Sequence, residues 1–203
     1  MIILVINSGS SSIKYQLWDT GSRRVLCTGL IERIGHDDAH LSYEPASGKG
    51  VQRTLALPDH TAGIKLLLDT VTGGDAGVLG SLDEIGAVGH RIVHGGPKIK
   101  ESELITAEIR ALIEEAVPLA PLHNPPNLMG VDAIQTLLPG TPNVGVFDTA
   151  FHSTLPEEAY VYPIAYEYYG KHGIRRFGFH GTSHQYVAMK GAEMLEIDYG
   201  SFN

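Results

Sequence analysis

The sequence changes its rhythm once, and this change constrains the fold more than any other feature. Three short apolar segments, residues 2–7, 13–18 and 24–32, are rich in β-branched and aromatic residues and are separated by turn residues. From about Thr61 onward, helical periodicity alternates with short strand-like runs. A meander of strands followed by helix–strand units predicts an α/β fold with a mixed sheet and flanking helices.

Turn residues and caps set the limits of the predicted elements. The segment DTGSRR at 19–24 is a plain hairpin turn. The segment PLAPLHNPPN at 118–127 is not expected to be a regular helix, because prolines interrupt one. Residues 35–60 carry two further strands, LSYE and RTLAL, and we interpret this stretch as an insertion. The remaining predictions are helices from a cap at Thr61, from about Thr106, over 128–138 and from Thr182 or Ser183 to about Leu195, with strands over 87–96 and 143–147.

The composition argues against several classes of function. The chain has 203 residues, enough for one sizeable domain or two very small ones, and no linker divides it. Its 15 basic and 23 acidic residues give a formal net charge of −8, which is a poor match for nucleic acid or an anionic membrane. Cys27 is the only cysteine, and no apolar run reaches the ~20 residues of a membrane span. We therefore expect a cytoplasmic protein.

The first polar segment, NSGSSSIK at 7–14, lies between two predicted strands. It does not fit the P-loop pattern, which needs two glycines and opens a helix. A β-hairpin can do similar work, since consecutive amides and hydroxyls donate to phosphate oxygens and a lysine adds charge. Asn7, at the end of the first strand, could hold a metal-bound water. Taken alone, the segment fits an ordinary serine- and glycine-rich turn better than a phosphate site.

The segment GHRIVHGG at 89–96 places two histidines four residues apart. On a helix, His90 and His94 would share a face and could bind zinc, but the surrounding pattern is a strand and no third ligand is near. Arg91 lies toward the end of this strand, where an α/β sheet grips carboxylates or phosphates. A surface ion pair explains Arg91 equally well.

Three later segments each contain one candidate residue. His123 lies in APLHNPPN, where prolines restrain the chain, and a turn histidine satisfied by the backbone is the simpler interpretation. Asp148 ends a buried strand in VGVFDTAFH, where α/β ligand crevices open, although turns also use aspartate commonly. His180 lies between glycines in FGFHGTSH, just before a predicted helix that contains His184.

Five segments in this order carry a resemblance that none of them carries alone. NSGSSSIK, GHRIVHGG, PLHNPPN, VFDTAFH and RRFGFHGTSH resemble the N-terminal half of the acetate and propionate kinase family, from residue 2 to roughly residue 195. The resemblance implies a ribonuclease-H-like lobe of the actin, hexokinase and Hsp70 group. Asparagine at position 7, where most of that group has aspartate, is the acetate kinase variant.

The resemblance also implies an activity and a set of roles. The reaction would be reversible phosphoryl transfer between ATP and acetate, with Mg²⁺ as cofactor and with acetyl phosphate and ADP as products. Asn7 would lie near the metal and phosphates, and the phosphate hairpin would be lined by Ser10, Ser12 and Lys14. Substrate binding and catalysis would fall to Arg91 on the carboxylate or phosphoryl group, Val93 and Leu122 around the methyl group, His123 and His180 facing the phosphoryl group, and Asp148 as acid/base or metal-side carboxylate.

The chain has about half the length that this family implies. We expect residues 1–195 to form the N-terminal lobe, residues 196–203 to be an atypical tail, and the C-terminal lobe to be absent. Complete activity of the chain alone is therefore in doubt, and a catalytically inactive fragment that binds phosphate or a partner is the alternative. A histidine-rich metal hydrolase is a third reading. The resemblance implies homodimers, and the sequence leaves the oligomeric state of this chain open.

Overall fold

A computed structural model describes residues 1–201 and shows one eight-stranded mixed sheet with six helices in that part of the chain. The strands are β1 (Ile2–Ser8), β2 (Ser12–Asp19), β3 (Arg24–Glu32), β4 (His36–Pro45), β5 (Val51–Leu57), β6 (Ile85–Ile92), β7 (Glu103–Leu104) and β8 (Asn143–Phe147). The helices are α1 (His60–Thr72), α2 (Ala107–Glu115), α3 (Asn124–Leu137), α4 (Glu157–Tyr160), α5 (Glu167–His172) and α6 (Gly181–Leu195).

The sheet has the order β5-β4-β3-β2-β1-β6-β8-β7. Strands β1 to β5 form an antiparallel meander, whereas β1, β6 and β8 run parallel and β7 closes the edge antiparallel to β8. The predicted mixed sheet is therefore confirmed. Because β1, β6 and β8 are parallel and adjacent, their carboxyl ends meet at one edge of the sheet, where ligand crevices form in α/β folds.

The segment at 35–60 adds two strands to the meander. Strands β4 and β5 continue the sheet beyond β3, and both Leu41 and Tyr43 are fully buried in the main core. The two strands predicted here exist and are longer than the sequence pattern indicates. That this stretch is an insertion into the family's core stays a prediction.

One face of the sheet is covered by two helices that contact each other: α1 lies over β2, β3 and β5, and α3 lies over β1 and β6. Leu4 and Ile6 of β1 pack with Ile64 of α1 and Ile134 of α3 in the main core. A smaller cluster around Phe147 joins α2 and α3 to β6 and β8. The cap of α1 is Asp59, whose Oδ1 accepts from the Ala62 amide at 2.8 Å, so the predicted cap at Thr61 is wrong by two residues.

The helix α3 begins inside the proline-rich segment, which corrects the expectation that 118–127 is not helical. Pro125 and Pro126 occupy its first turn, where backbone amides have no partner within the helix and the missing N–H costs nothing. The start of α6 also differs from expectation. Its N-cap is His180 rather than Thr182 or Ser183, and no side chain caps it, whereas its end at Leu195 is confirmed. Residues 202–203 of the expected tail lie outside the described residues.

The opposite face of the sheet remains open. Ile3, Val5, Val144 and Val146 line an apolar groove of about 840 Å³ that α6 borders through Tyr186. Among residues 1–201, no helix is both long and apolar enough to cross a membrane.

Candidate active site

A cavity of about 650 Å³ opens at the edge where the parallel strands end. Nine of the ten side chains predicted for the site line it, and only Ser10, which is exposed, does not. The nine are Asn7, Ser12, Lys14, Arg91, Val93, Leu122, His123, Asp148 and His180. They lie on β1, β2 and β6, directly after β6 and β8, and in the segments before α3 and α6, so the sheet topology brings distant segments together.

The hairpin between β1 and β2 forms one wall of this cavity. The Gly9 amide donates to the Ser12 carbonyl at 2.7 Å, which closes a tight turn. Ser8 is buried at the end of β1, and its hydroxyl has no hydrogen-bond partner within the described residues. A Cβ on Gly130 would lie 2.8 Å from the Ser8 Cβ. Glycine at position 130 therefore lets α3 approach the hairpin closely.

Arg91, Asp148 and His180 form a connected polar cluster. The Arg91 Nε and Nη2 donate to Asp148 Oδ1 and Oδ2 at 3.0 and 2.7 Å, a bidentate pair. Asp148 is 5% exposed and Arg91 37%, so this is not the surface ion pair that the sequence left open. The hydrogen bond to Asp148 raises the pKa of Arg91, and the guanidinium stays charged. Both residues still line the cavity, so Asp148 fixes the direction of the arginine fork.

His180 approaches the same pair from the start of α6. Its Nδ1 lies 3.2 Å from Arg91 Nη2 and 3.5 Å from Asp148 Oδ2. Arginine can only donate, so Nδ1 is the acceptor in its contact with Arg91. The backbone of His180 is left-handed, with φ of 54°, a conformation that non-glycine residues adopt at a cost. The Gly181 amide donates to the Asp148 carbonyl at 2.8 Å, and a Cβ on Gly181 would lie 2.5 Å from that oxygen.

The two histidines of β6 and its exit loop have structural partners. His90 lies 2.7 Å from Asn143 Oδ1 through Nε2, and His94 Nδ1 accepts from the Gly96 amide at 2.8 Å. Burial lowers the pKa of both histidines to about 4, so both are neutral. Within residues 1–201, no group of three or more His, Cys, Asp or Glu side chains could hold a metal ion.

The residues around the cavity fit a hard cation that is held mainly by water and phosphate oxygens. Asn7 supplies a carboxamide oxygen and Asp148 a carboxylate, both of the donor class that Mg²⁺ accepts. Both oxygens of Asp148 already accept from Arg91. Magnesium usually keeps several waters and binds one or two carboxylates together with substrate phosphates, so this donor set fits a cation held largely by water and phosphate oxygens.

Two asparagines of the proline-rich segment were missed in the sequence. Asn127 donates to the Ser8 carbonyl at 2.7 Å and accepts from the Val93 amide at 3.0 Å, which joins the ends of β1 and β6. Asn124 is fully buried and exchanges hydrogen bonds with the backbone of His94. The two asparagines could have been predicted from HNPPN, where polar residues flank two prolines. Prolines can start a helix, and the side chains of a first helical turn can hydrogen-bond to neighbouring loops.

The cavity also has an apolar side. Val93 and Leu122 lie there as predicted, together with Leu119, Pro121 and Phe179. Phe179 is 44% exposed and directly precedes His180 in the sequence. A small apolar group bound here would be next to the Arg91 fork, so the cavity can receive an anion with a short apolar tail.

Comparison with known proteins agrees with this geometry. The model of the Acetokinase family matches residues 2–203. The chain belongs to the acetokinase family. Acetate kinases of Desulfitobacterium hafniense and Thermotoga maritima are 53% and 56% identical to it over 195 residues, which cover 96% of this chain but only 49% and 48% of those proteins. The acetokinase chain thus spans about half the length of the curated relatives it matches.

Solved structures give the same result for the fold. The crystal structure of Porphyromonas gingivalis acetate kinase superposes with a TM-score of 0.92 at 47% identity, covering 98% of this chain and 50% of that one. A propionate kinase from Francisella tularensis gives a TM-score of 0.89 at 37% identity, with coverage of 97% and 50%. These likenesses confirm the predicted ribonuclease-H-like fold class of this acetokinase chain.

Proposed function

We propose that the cavity of this chain is an active site for reversible phosphoryl transfer between ATP and acetate. The observation that carries the proposal is the single cavity of about 650 Å³ around which nine of the ten expected side chains converge. Its contents match what the reaction needs, since phosphoryl transfer depends on positioning and on positive charge at the equatorial oxygens. The relatives that cover the chain are acetate and propionate kinases.

The positively charged groups act on the phosphates. Lys14 and the hydroxyl of Ser12, with Ser10 beside them, bind phosphate oxygens at the hairpin. Arg91 binds the acetate carboxylate or the transferring phosphoryl group through its free edge, held in direction by Asp148. His123 and the Nε2–H of His180 donate to the phosphoryl oxygens, and His180 stabilises the transition state.

Asp148 does not act as a general base in this proposal. Acetate, with a pKa of about 4 to 5 like other carboxyl groups, is already ionised at neutral pH, so the nucleophile needs no deprotonation. Asp148 instead orients Arg91 and, with Asn7, water bound to magnesium. Asn7 and Asp148 would hold magnesium through its bound water, and the ion would supply positive charge near the phosphates.

The substrate belongs to the short carboxylates. Val93 and Leu122 contact the methyl group, with Phe179 beside them. One methylene is worth only about 1–3 kcal/mol of discrimination, so acetate and propionate are both within reach of this pocket. The cytoplasm, as expected from the composition, is the proposed location.

A second candidate function is phosphate binding without turnover. The observation that favours it is that this chain spans only 48–50% of the length of its relatives. Lys14, Ser12 and Arg91 would then hold an anion that has no complete catalytic surroundings.

Acyl-hydroxamate formation from acetate, ATP and magnesium tests both candidates with the purified 203-residue chain. Phosphate binding, measured by calorimetry, accompanies the assay. The variant is Arg91→Ala, and Arg110→Ala is its matched control. Arg110 also forms a bidentate pair, with Asp132 at 2.8 Å, is 33% exposed, and lies away from the cavity.

The three results separate the candidates. Turnover that Arg91→Ala abolishes and Arg110→Ala retains supports phosphoryl transfer by this chain. Phosphate binding without turnover, weakened only by Arg91→Ala, supports the second candidate. Neither turnover nor phosphate binding in the unsubstituted chain would rule out both.

A further inference from the structure

The hairpin between β1 and β2 forms a hydrogen bond with a residue that does not line the cavity. His60, the first residue of α1, is 4% exposed, and its Nε2 lies 2.7 Å from the Gly9 carbonyl oxygen. A carbonyl only accepts, so Nε2 carries the proton and donates. The Gly9 amide on the other side of the same residue donates to Ser12. Gly9 is thus restrained at both its N–H and its C=O.

This restraint determines where the next amide points. The peptide between Gly9 and Ser10 is trans, because the described residues contain no cis peptide bond. In a trans peptide the C=O and the N–H point in opposite directions. With the Gly9 carbonyl directed toward the buried imidazole, the Ser10 amide points away from it. No hydrogen-bond acceptor is recorded for that amide within residues 1–201.

We propose that His60 is a positioning residue for anion binding, which holds the Gly9 carbonyl and so keeps the Ser10 amide directed away from the core, where it can donate to an anion at the hairpin. The inference rests on the proposed function and deepens it. It also gives Ser10 a role that its exposed side chain does not supply, since the backbone amide rather than the hydroxyl becomes the donor. Without the imidazole, the Gly9–Ser10 peptide is free to rotate, and the anion loses a preorganised donor.

The helix gives His60 a fixed base. Asp59 caps α1 through its contact with the Ala62 amide. Gly63, one turn into the helix, lies against Ile13 of β2, where a Cβ would come within 3.0 Å of the Ile13 Cδ1. The start of α1 is therefore packed against the strand that leaves the hairpin. A shift of His60 away from Gly9 would need this contact to open.

Titration of the ¹⁵N-labelled full chain with inorganic phosphate tests the proposal, using the Ser10 amide resonance as the reporter. His60→Leu removes the donor, whereas His60→Gln places an amide N–H near the position of Nε2 and serves as the conservative rescue. Asp59→Ala is the matched control, because it weakens the same helix end without removing the bond to Gly9. Melting temperature is measured for each variant.

We expect phosphate to shift the Ser10 amide in the unsubstituted chain. His60→Leu should weaken phosphate binding about five- to tenfold, as expected for one hydrogen bond, and His60→Gln should recover most of it. Asp59→Ala should lower the melting temperature while changing phosphate affinity less than about twofold.

Two results would overturn the inference while leaving the proposed function intact. One is unchanged phosphate affinity and an unchanged Ser10 response in His60→Leu. The other is an equal loss of affinity in Asp59→Ala, which would make His60 merely structural. If phosphate produces no response at the hairpin in the unsubstituted chain, the proposed function fails at this site and the role of His60 fails with it.

Discussion

Residues 1–148 and residues 149–201 differ sharply in how much apolar surface they bury. Every buried hydrophobic side chain of the described residues belongs to the first region except Ala192. The second region instead exposes large apolar side chains, among them Ile174, Tyr186 and Met194. The first region therefore contains the core, and the second lies on it with few buried contacts.

The candidate site is built from both regions. Arg91 and Asp148 come from strands whose surroundings are closely packed, whereas Phe179 and His180 come from the region that buries little. Individual hydrogen bonds, such as the Gly181 amide to Asp148 and His152 to the Phe179 carbonyl, hold that second wall in place. Local stability follows buried apolar contact, so the wall that carries His180 should open more readily than the wall that carries Arg91.

Truncating one apolar side chain in each region should give the largest difference. Ile64→Ala removes a fully buried side chain from the main core and should cost about 2–5 kcal/mol of unfolding free energy. Met194→Ala changes a side chain that is 83% exposed and should cost less than about 0.5 kcal/mol. Urea unfolding of both variants measures this difference. Equal losses would mean that the second region is as tightly packed as the first.

The next largest expected effect is the pH dependence of stability that the buried histidines cause. Burial lowers the pKa of His90 and His94 from 6.5 to about 4 in the folded chain. Between those values the unfolded chain binds protons that the folded chain does not, so stability rises with pH across this window and is lost as the pH falls from about 6.5 to 4. The full loss is about 3 kcal/mol for each histidine.

Urea unfolding at several pH values between 4 and 7 measures the slope of stability with pH. His90→Gln, which can keep a donor near Asn143 but does not titrate, should remove about half of that slope. His184→Gln, at an exposed position in the second region, is the matched control and should leave the slope nearly unchanged. A slope that His184→Gln reduces and His90→Gln does not would contradict the assignment to the buried histidines.

Asn127 tests the wall of the site that belongs to the first region. Asn127→Ala leaves the Ser8 carbonyl and the Val93 amide without their partner, which should cost about 1–3 kcal/mol and also weaken phosphate binding. Gln185→Ala, at an exposed position of α6, should change neither. Chemical denaturation and phosphate calorimetry measure the two effects. Unchanged stability in Asn127→Ala would show that water replaces both hydrogen bonds.

The sequence predicted the parts of the site that depend on local pattern and order along the chain. Period-two apolar runs and turn residues located the strands, the five segments identified the family, and nine of the ten residues predicted from those segments line the cavity. The contact of His60 with Gly9 spans 51 positions and had no local signal, because a histidine at a helix start has many possible partners. Asn127, which reaches Ser8 119 positions away, was missed for the same reason.

Helix starts were the least predictable elements. At α1 and α6, several neighbouring polar residues could serve as the cap, and the tertiary contact of the first turn decided which one did. At α3, the rule that prolines break helices was applied to a first turn, where it does not hold. The pairing of Arg91 with Asp148 could not be predicted from the sequence either. It depends on β6 and β8 being adjacent in the sheet and not on a pattern within either segment.

Asp148 lies at the boundary between the two regions. Removing its charge should have the smallest of these measurable effects, a change in phosphate affinity. In Asp148→Asn, a negative charge next to the phosphate site disappears, and a unit charge a few ångströms away in a watery cleft is worth about 1 kcal/mol. Binding of inorganic phosphate without metal should therefore become about two- to fivefold tighter. Weaker binding in this variant would contradict the expectation and would mean that the hydrogen bonds from Arg91 to Asp148 matter more for phosphate binding than the negative charge does. Calorimetry measures phosphate binding to Asp148→Asn and to the control Asp132→Asn, which removes the partner of Arg110 outside the cavity. The comparison separates the electrostatic effect of the Asp148 carboxylate from the effect of its hydrogen bonds to Arg91. Tighter binding in Asp148→Asn alone would mean that the Asp148 carboxylate offsets the charge of Arg91 at the proposed anion site.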